Sequence, residues 1–329
     1  MISRTKYKLA PDEVKALFAQ NGIAGVTGVA PLGAGEYNAV FSATGPDQKE
    51  YAVKIAPPST AAVMTLERDM MAAEMFWYQK IREHTSIRVP EVYVTDFAKE
   101  KLPADYFIME KLNGTQLDQT EFTGAEKAES ALILAKMAAK VHTIKNDRFG
   151  YVQNGLQDTW YLAIRAMVSA VLADCKRVHR RTLRGEKLLR LIDKNKAVLE
   201  KAECCMVNFD LWPPNVMCSR ENGEIHYAWL DPERSFWGDR ICDFVCLETM
   251  LPLEKKTASL DAYNAAAEKP VLATGDERIR YAVGLGYLAL IMEAEKYFRY
   301  TPFHYGWWRN VGASSVFFKQ AFSILEHEG

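Results

Sequence analysis

At 329 residues the chain exceeds most single domains, so two packed lobes are the first expectation. Its 49% hydrophobic and 25% charged residues suit a globular protein with a large core, and a formal net charge of -1 supplies no electrostatic reason for a nucleic-acid or anionic-membrane partner. Met1 to Val14 carries charges but no apolar run, unlike a secretory signal, and the most apolar windows, Met70–Tyr78 and Tyr281–Met292, are too short to span a membrane.

Pro11 followed by Asp12, Glu13 and Val14 predicts a helix start, with Gly22 as its stop. Gly25–Leu32, Tyr37–Thr44 and Glu50–Ala56 then read as short strands, punctuated by Gly33-Ala34-Gly35 and by the turn Gly45-Pro46-Asp47. Helical spacing of apolar residues predicts one long helix from Ala62 to His84. Glu91–Thr95 and Tyr106–Met109 are further strands, after which Asn113-Gly114 forms a polar hinge. From Ala125 the pattern is helical, over Ala125–Ile144, Thr159–Arg180 and Glu186–Lys201. It is interrupted by one hairpin, Val216–Ser219 returning as Ile225–Leu230 through Glu221-Asn222-Gly223. Helices resume at Ile241–Met250, Glu277–Tyr297 and Val311–Leu325. The layout is α+β: a small sheet lobe over residues 1–112 and a large helical lobe over 113–329. Tyr151–Lys201 carries eleven Lys and Arg against five Asp and Glu, read as a solvated helix face. The cysteines, Cys175, Cys204, Cys205, Cys218, Cys242 and Cys246, form no C-x-x-C pair, which points to reduced thiols and a cytoplasmic protein.

The chemistry concentrates in Asn208-Phe209-Asp210-Leu211-Trp212-Pro213-Pro214-Asn215, the hairpin, and Leu230-Asp231-Pro232-Glu233. Phosphoryl transfer requires a carboxylate to orient or deprotonate the attacking hydroxyl, and oxygen ligands for a Mg²⁺ that bridges phosphates. Asp210 and Asn215 are separated by a segment in which Pro213-Pro214 forbids a regular helix, so one side chain can face an acceptor and the other a metal. The hairpin then returns a second carboxylate, Asp231, at the end of an apolar strand. One D-x4-N alone would pass for a surface turn; the ordered series does not. A metal-dependent hydrolase is a distant third reading, since there is no H-x-x-x-H or His-carboxylate cluster to hold a hydrolytic zinc.

This segment resembles the catalytic loop and metal-binding strand of the aminoglycoside phosphotransferase and choline kinase superfamily, which has a protein-kinase-like two-lobe fold. The superfamily pattern is H-G-D-x-x-x-x-N, an apolar strand ending I-D-[FWP]-[GE], then G-D-x-x-x-D-[LF]. It is matched here through Asp210, Asn215, Asp231, Glu233, Gly238-Asp239 and Asp243-Phe244. The resemblance implies Asp210 as catalytic base, Asn215 and Asp231 as Mg²⁺ ligands, and Asp243 as a brace for the loop backbone. Asn208 stands where the superfamily usually has His, and a hydrogen-bonding Asn can take over that supporting part.

The resemblance also implies a nucleotide site. Lys54, ending the strand Tyr51-Ala52-Val53-Lys54, holds the position that pairs with α- and β-phosphates, and Glu74 in Glu74-Met75-Phe76-Trp77-Tyr78 would fix its ammonium. Glu67, seven residues earlier, is the competing partner. Gly33 and Gly35, with Asn38 in place of a third glycine, form a degenerate phosphate-covering turn. Backbone groups of Glu110 and Leu112, in the hinge Phe107-Ile108-Met109-Glu110-Lys111-Leu112, would meet adenine.

The implied function is a kinase moving the γ-phosphoryl of ATP or GTP to a hydroxyl of a small metabolite or antibiotic; the alternative is a catalytically silent nucleotide-binding module. For the acceptor, Asp210-Leu211-Trp212 resembles the D-L-W of fructosamine kinases. Glu293, Glu295 and Asp239 are acids that could neutralise an amine. The aromatic segment Tyr297–Trp308 is read as core packing between helices.

Overall fold

The computed structural model describes residues 6–33, 35 and 37–328. Five antiparallel strands open the fold: β1 (Thr27–Pro31), β2 (Ala39–Thr44), β3 (Glu50–Ile55), β4 (Val92–Asp96) and β5 (Tyr106–Glu110), in the order β1-β2-β3-β5-β4. Period-two alternation sorts their side chains onto two faces. Tyr51, Val53 and Ile55 with Tyr106 and Ile108 pack under helix α1 (Pro11–Gln20) through Val14, Leu17 and Phe18. Ala52, Phe107 and Met109 face the other way, onto Met71 of helix α2 (Met70–His84). Lys54 shares that second face, which is what delivers its side chain to α2.

The helix expected over Ala62–His84 is shorter. It begins at Met70 because Asp69 takes a left-handed conformation (φ 51°), and Thr65–Glu67 forms a separate 3-10 turn before it. Met71, Glu74, Met75 and Tyr78 thus share one face of α2, and Glu67 belongs to another element.

The helical part holds α3 (Gly124–Ser130), α4 (Ile133–Val141), α5 (Trp160–Arg177), α6 (Leu183–Lys194), α7 (Lys196–Leu199), α8 (Thr257–Ala266), α9 (Asp276–Arg299) and α10 (Tyr305–His327). The single helix expected over Ala125–Ile144 is two, and Ile241–Met250 is a 3-10 run, Arg240–Val245, followed by turns with positive φ at Glu248 and Met250. Two short strands escape the sequence pattern: β7 (Cys204–Val207) and β10 (Phe236–Asp239), paired antiparallel with Phe236 opposite Val207. The expected hairpin is present as β8 (Val216–Glu221) and β9 (Glu224–Trp229), with Asn222 and Gly223 both at positive φ, as a type I′ turn demands. A two-residue strand, β6 (Thr115–Gln116), lies along β8. Gly114 makes that approach possible, since a Cβ there would sit 2.0 Å from the Cys218 carbonyl oxygen.

A large apolar core joins α2, α4, α5, α9 and the β7–β10 pair, with Trp77, Trp160, Phe209, Phe236 and Tyr287 fully buried. All six cysteines are free thiols. Among the described residues no helix is long and apolar enough to cross a membrane.

Candidate active site

The loop after β7 alternates in and out. Phe209 and Leu211 are buried, Phe209 against Phe236 and Tyr287 (ring centres 5.2 and 5.6 Å apart), whereas Asp210 is half-buried and Trp212 exposed. Phe209 is held at φ 59°, unusual for a side chain of its size. Asp243 stabilises that turn: its carboxylate accepts the Asn208 N–H at 3.1 Å and the Phe209 N–H at 2.6 Å. His142 Nε2 lies 2.9 Å from the same carboxylate and its Nδ1 lies 2.8 Å from the Tyr263 hydroxyl. Because the carboxylate only accepts, Nε2 is the donor to Asp243. Asn208 accepts the Asp210 N–H at 2.9 Å, so the residue that replaces the superfamily histidine still supports the loop.

Pro213–Asn215 forms a 3-10 turn that points the Asn215 amide back, donating at 3.2 Å to both the carbonyl and the carboxylate of Asp210. The NH₂ end is thereby engaged with Asp210. Leu230 N–H donates to the Asn215 carbonyl at 2.8 Å, bringing the end of β9 alongside the loop. Asp231 follows at φ 64°, its N–H donating to the Tyr78 hydroxyl of α2 at 3.0 Å.

Lys54 reaches the same place from the sheet. Its ammonium lies 2.8 Å from Glu74 and 2.8 Å from Glu233, and pairs with Asp231 as well. Glu67 takes no part: it pairs with Arg299 and caps the Met64 N–H at 2.8 Å. Carboxylate oxygens of Glu74, Asp231 and Glu233 lie within 4.8 Å of one another. Three acids around one buried ammonium leave surplus negative charge, and the ionisations respond. Burial, then the charge of Glu233, raises Asp231 to about 7, and burial raises Glu74 to about 8. Burial acts upward on Glu233 too, but Lys54 and Arg234 outweigh it and hold that carboxyl below its ordinary range. Asp210 is raised by burial, with Arg234 pulling it back.

In the glycine-rich turn, Gly33 adopts φ 73° and the Gly35 carbonyl accepts from Lys6 at 3.0 Å; Ala34 and Glu36 lie outside the described residues. Asn38 donates to Glu233 at 2.7 Å, tying this turn to the acids that hold Lys54. At the hinge, Glu110 spends its N–H on the Glu91 carbonyl (2.7 Å) and its carboxylate on Arg88 (2.5 Å). Leu112 N–H makes no hydrogen bond among the described residues.

Sequence reasoning missed Arg234, which follows the metal-strand motif by one residue and holds Glu295, one of the acids considered for an amine acceptor, 2.5 Å away. Arg234 could have been suspected as a cation one residue beyond Asp231-Pro232-Glu233. The other acids considered for an amine acceptor are also committed, Glu293 to Arg184 (3.2 Å) and Asp239 to Arg280 (2.6 Å). The aromatic segment is only half core: Phe298 and Tyr300 are buried, but Phe303 is 91%, Tyr305 78% and Trp308 60% exposed.

A model of the APH phosphotransferase enzyme family matches residues 28–281. No curated protein matches the chain. Solved structures share its fold at low identity. One is a thermostable mutant of aminoglycoside phosphotransferase APH(4)-Ia in a ternary complex with AMP-PNP and hygromycin B: 15% identity, TM-score 0.62, covering 95% of this chain and 98% of that one. ADP-bound APH(2'')-Ib gives 17% identity and TM-score 0.58 over 95% of this chain and 99% of that one. A microcompartment-associated aminopropanol kinase gives 14% identity and TM-score 0.59 over 96% and 98%. The protein-kinase-like fold is therefore established, with its small antiparallel sheet and helical remainder. The family match spans most of the chain, including the catalytic loop and the Lys54 strand: this protein belongs to the APH phosphotransferase enzyme family and is a small-molecule phosphotransferase with an alcohol group as acceptor.

Proposed function

We propose that this chain transfers the γ-phosphoryl of ATP to a hydroxyl of a small molecule, with Asp210 as base, Asn215 and Asp231 as the metal ligands, and Lys54 set by Glu74. The carrying observation is the convergence of Lys54, Asp231 and Glu233 on one point, while Asn215 holds the Leu230 N–H beside Asp231 with its carbonyl and donates to Asp210 with its side chain. The donor set fits Mg²⁺: hard oxygens from Asp231 and the Asn215 amide, in a place where surplus carboxylate charge favours a divalent cation. When bound, Mg²⁺ would neutralise charge on the phosphates. The protein's own share is positioning. Asp210, presented by a loop braced on Asp243, accepts the proton of the acceptor hydroxyl as it attacks. Lys54, once a nucleotide enters, meets phosphate oxygens in place of Asp231 while Glu74 keeps its stem in register.

The sheet part, residues 1–112, is assigned to the nucleotide, with Gly33 and Gly35 over the phosphates and the backbone of Glu110 and Leu112 at the base; 113–329 carries the loop and acceptor side. Only the Glu110 carbonyl and the Leu112 N–H can serve adenine, since the Glu110 N–H is used. Because Glu293, Glu295 and Asp239 are each bound to arginine, the acceptor is one that does not bring several ammonium groups to those acids. Free thiols throughout support a cytoplasmic setting.

The test is γ-phosphoryl transfer from labelled ATP to a panel of sugars, amino sugars, amino alcohols and antibiotics, with nucleotide affinity measured with and without Mg²⁺. Transfer to a hydroxyl, and affinity that rises with Mg²⁺ and loses most of that rise in Asp231→Asn, is expected. Equal affinity with and without Mg²⁺ in the wild type would overturn the metal assignment.

A further inference from the structure

A chain of charged side chains, almost removed from solvent, runs from the turn after Asp231 to the glycine-rich turn. Arg234 donates to Glu295 at 2.5 Å, and Arg299, one turn further along α9, lies 3.2 Å from the same carboxylate and pairs also with Glu67. At the far end the Arg299 guanidinium stands 4.9 Å from the ring centre of Tyr37, whose hydroxyl donates to the Glu67 carbonyl at 3.3 Å. At the near end Arg234 closes the 3-10 turn Pro232–Arg234 that directly follows Asp231. Glu67, Glu295, Arg299 and Tyr37 are all buried.

Stability explains this poorly. Desolvating each ion costs several kcal/mol, and well-packed apolar side chains would join α9 to the turn at Thr65–Glu67 about as firmly. What an apolar set would not do is fix direction. A planar guanidinium that lies over a ring and meets two carboxylates has one orientation. Tyr37 lies between Gly35 and Asn38, so whatever orients its ring orients the turn. The turn is thereby fastened twice to the helical part, by Asn38 on Glu233 and by Tyr37 on Arg299.

We propose that Arg299 is a positioning residue for the glycine-rich turn, and that its anchoring through Glu295 to Arg234 ties the turn to the segment that carries Asp231 and Glu233. Arg299 touches neither nucleotide nor acceptor; it acts through Tyr37 and Glu67. The inference rests on the reading of this turn as the nucleotide cover.

The experiment is calorimetric titration of the full chain with Mg²⁺ and AMP-PNP. Arg299→Met and Tyr37→Leu are each expected to weaken affinity about tenfold, near 1.4 kcal/mol. The double variant should be hardly worse than either single one, because both remove the same contact. Arg299→Lys, which keeps the charge between Glu67 and Glu295, should stay within about threefold of wild type. Glu295→Gln, remote from the turn, should weaken binding in the same direction by a smaller factor. Unchanged affinity in folded Arg299→Met, or full additivity with Tyr37→Leu, would overturn the proposal and leave Arg299 a structural residue. If Arg299→Met does not fold, Tyr37→Leu decides alone: tenfold weakening supports the proposal and unchanged affinity overturns it. A wild type with no affinity for the nucleotide is a different result, removing the nucleotide reading itself.

Discussion

At Lys54 three carboxylates compete for one ammonium, and the contest shows how much a single residue organises. Removing the lysine leaves Glu74, Asp231 and Glu233 facing each other in a buried place, where unpaired charge is costly. Lys54→Ala is expected to cut turnover by about 10²-fold or more, the loss typical of one preorganised donor. Glu74→Gln should reproduce part of it, about tenfold, because Glu74 meets the chemistry only through Lys54. The double variant should be far less than additive when turnover is compared across the four proteins, each checked for folding by circular dichroism. Full additivity would show that Glu74 does not act through the lysine. The choice between Glu74 and Glu67 turned on a backbone detail. Read as one helix, residues 62–84 put both acids on nearly one face, and only the left-handed Asp69 separates them. No periodicity signals a single residue of that kind.

Elements reveal the same division between what patterns carry and what they omit. The sheet was legible because its strands are short runs rich in β-branched and aromatic residues set between turn signals such as Gly45-Pro46-Asp47, and the hairpin because Asn222-Gly223 allows little else. The strands Cys204–Val207 and Phe236–Asp239 were not, since four residues, Cys-Cys-Met-Val in one and Phe-Trp-Gly-Asp in the other, are too few to show a period. Yet that pair sets the catalytic loop: β7 ends at Val207 and the loop turns there onto Asp243. The order of Asp210, Asn215 and Asp231 was visible; the links from His142 and Tyr263 were not, because they join segments 101 and 121 residues apart. Asp243→Asn removes the charge behind two backbone hydrogen bonds and the His142 contact. It is expected to cost about 1–3 kcal/mol of stability in denaturant titration, and to slow turnover more than it weakens nucleotide binding. His142→Ala should add little on top, as a member of one network. An unchanged denaturation midpoint in Asp243→Asn would contradict the brace.

Across the whole molecule, α9 is the member that the rest is built on, buried along most of its length and reaching from Asp239 at one end to Glu67 at the other. The segment before it turns on a second buried lysine. Lys256 is fully enclosed and donates to the carbonyls of Leu247 and, at 3.0 Å, Glu248, where the chain bends at positive φ. Burial lowers its ionisation to about 8, so between pH 8 and the ordinary lysine range the unfolded chain holds a proton the folded one has released. Stability from this residue is therefore least below pH 8 and rises with pH above it, by roughly 1.4 kcal/mol per unit at most. Urea titrations of wild type and Lys256→Met should show the wild type gaining on the variant between pH 8 and pH 10; a constant difference would contradict the sign.

The central claim is that this fold performs phosphoryl transfer through Asp210, and it is tested most directly by transfer rate and nucleotide affinity measured side by side for wild type and Asp210→Asn. A positioned general base contributes about 10²–10⁴-fold, so the variant should lose that much turnover on any acceptor the wild type uses. Its Mg²⁺-nucleotide affinity should be kept, because the proposed roles set Asp210 toward the acceptor, with Asn215 as its link to the metal side. Turnover equal to wild type would remove Asp210 as the base. Collapse of nucleotide binding would contradict the account differently, making Asp210 part of the metal site.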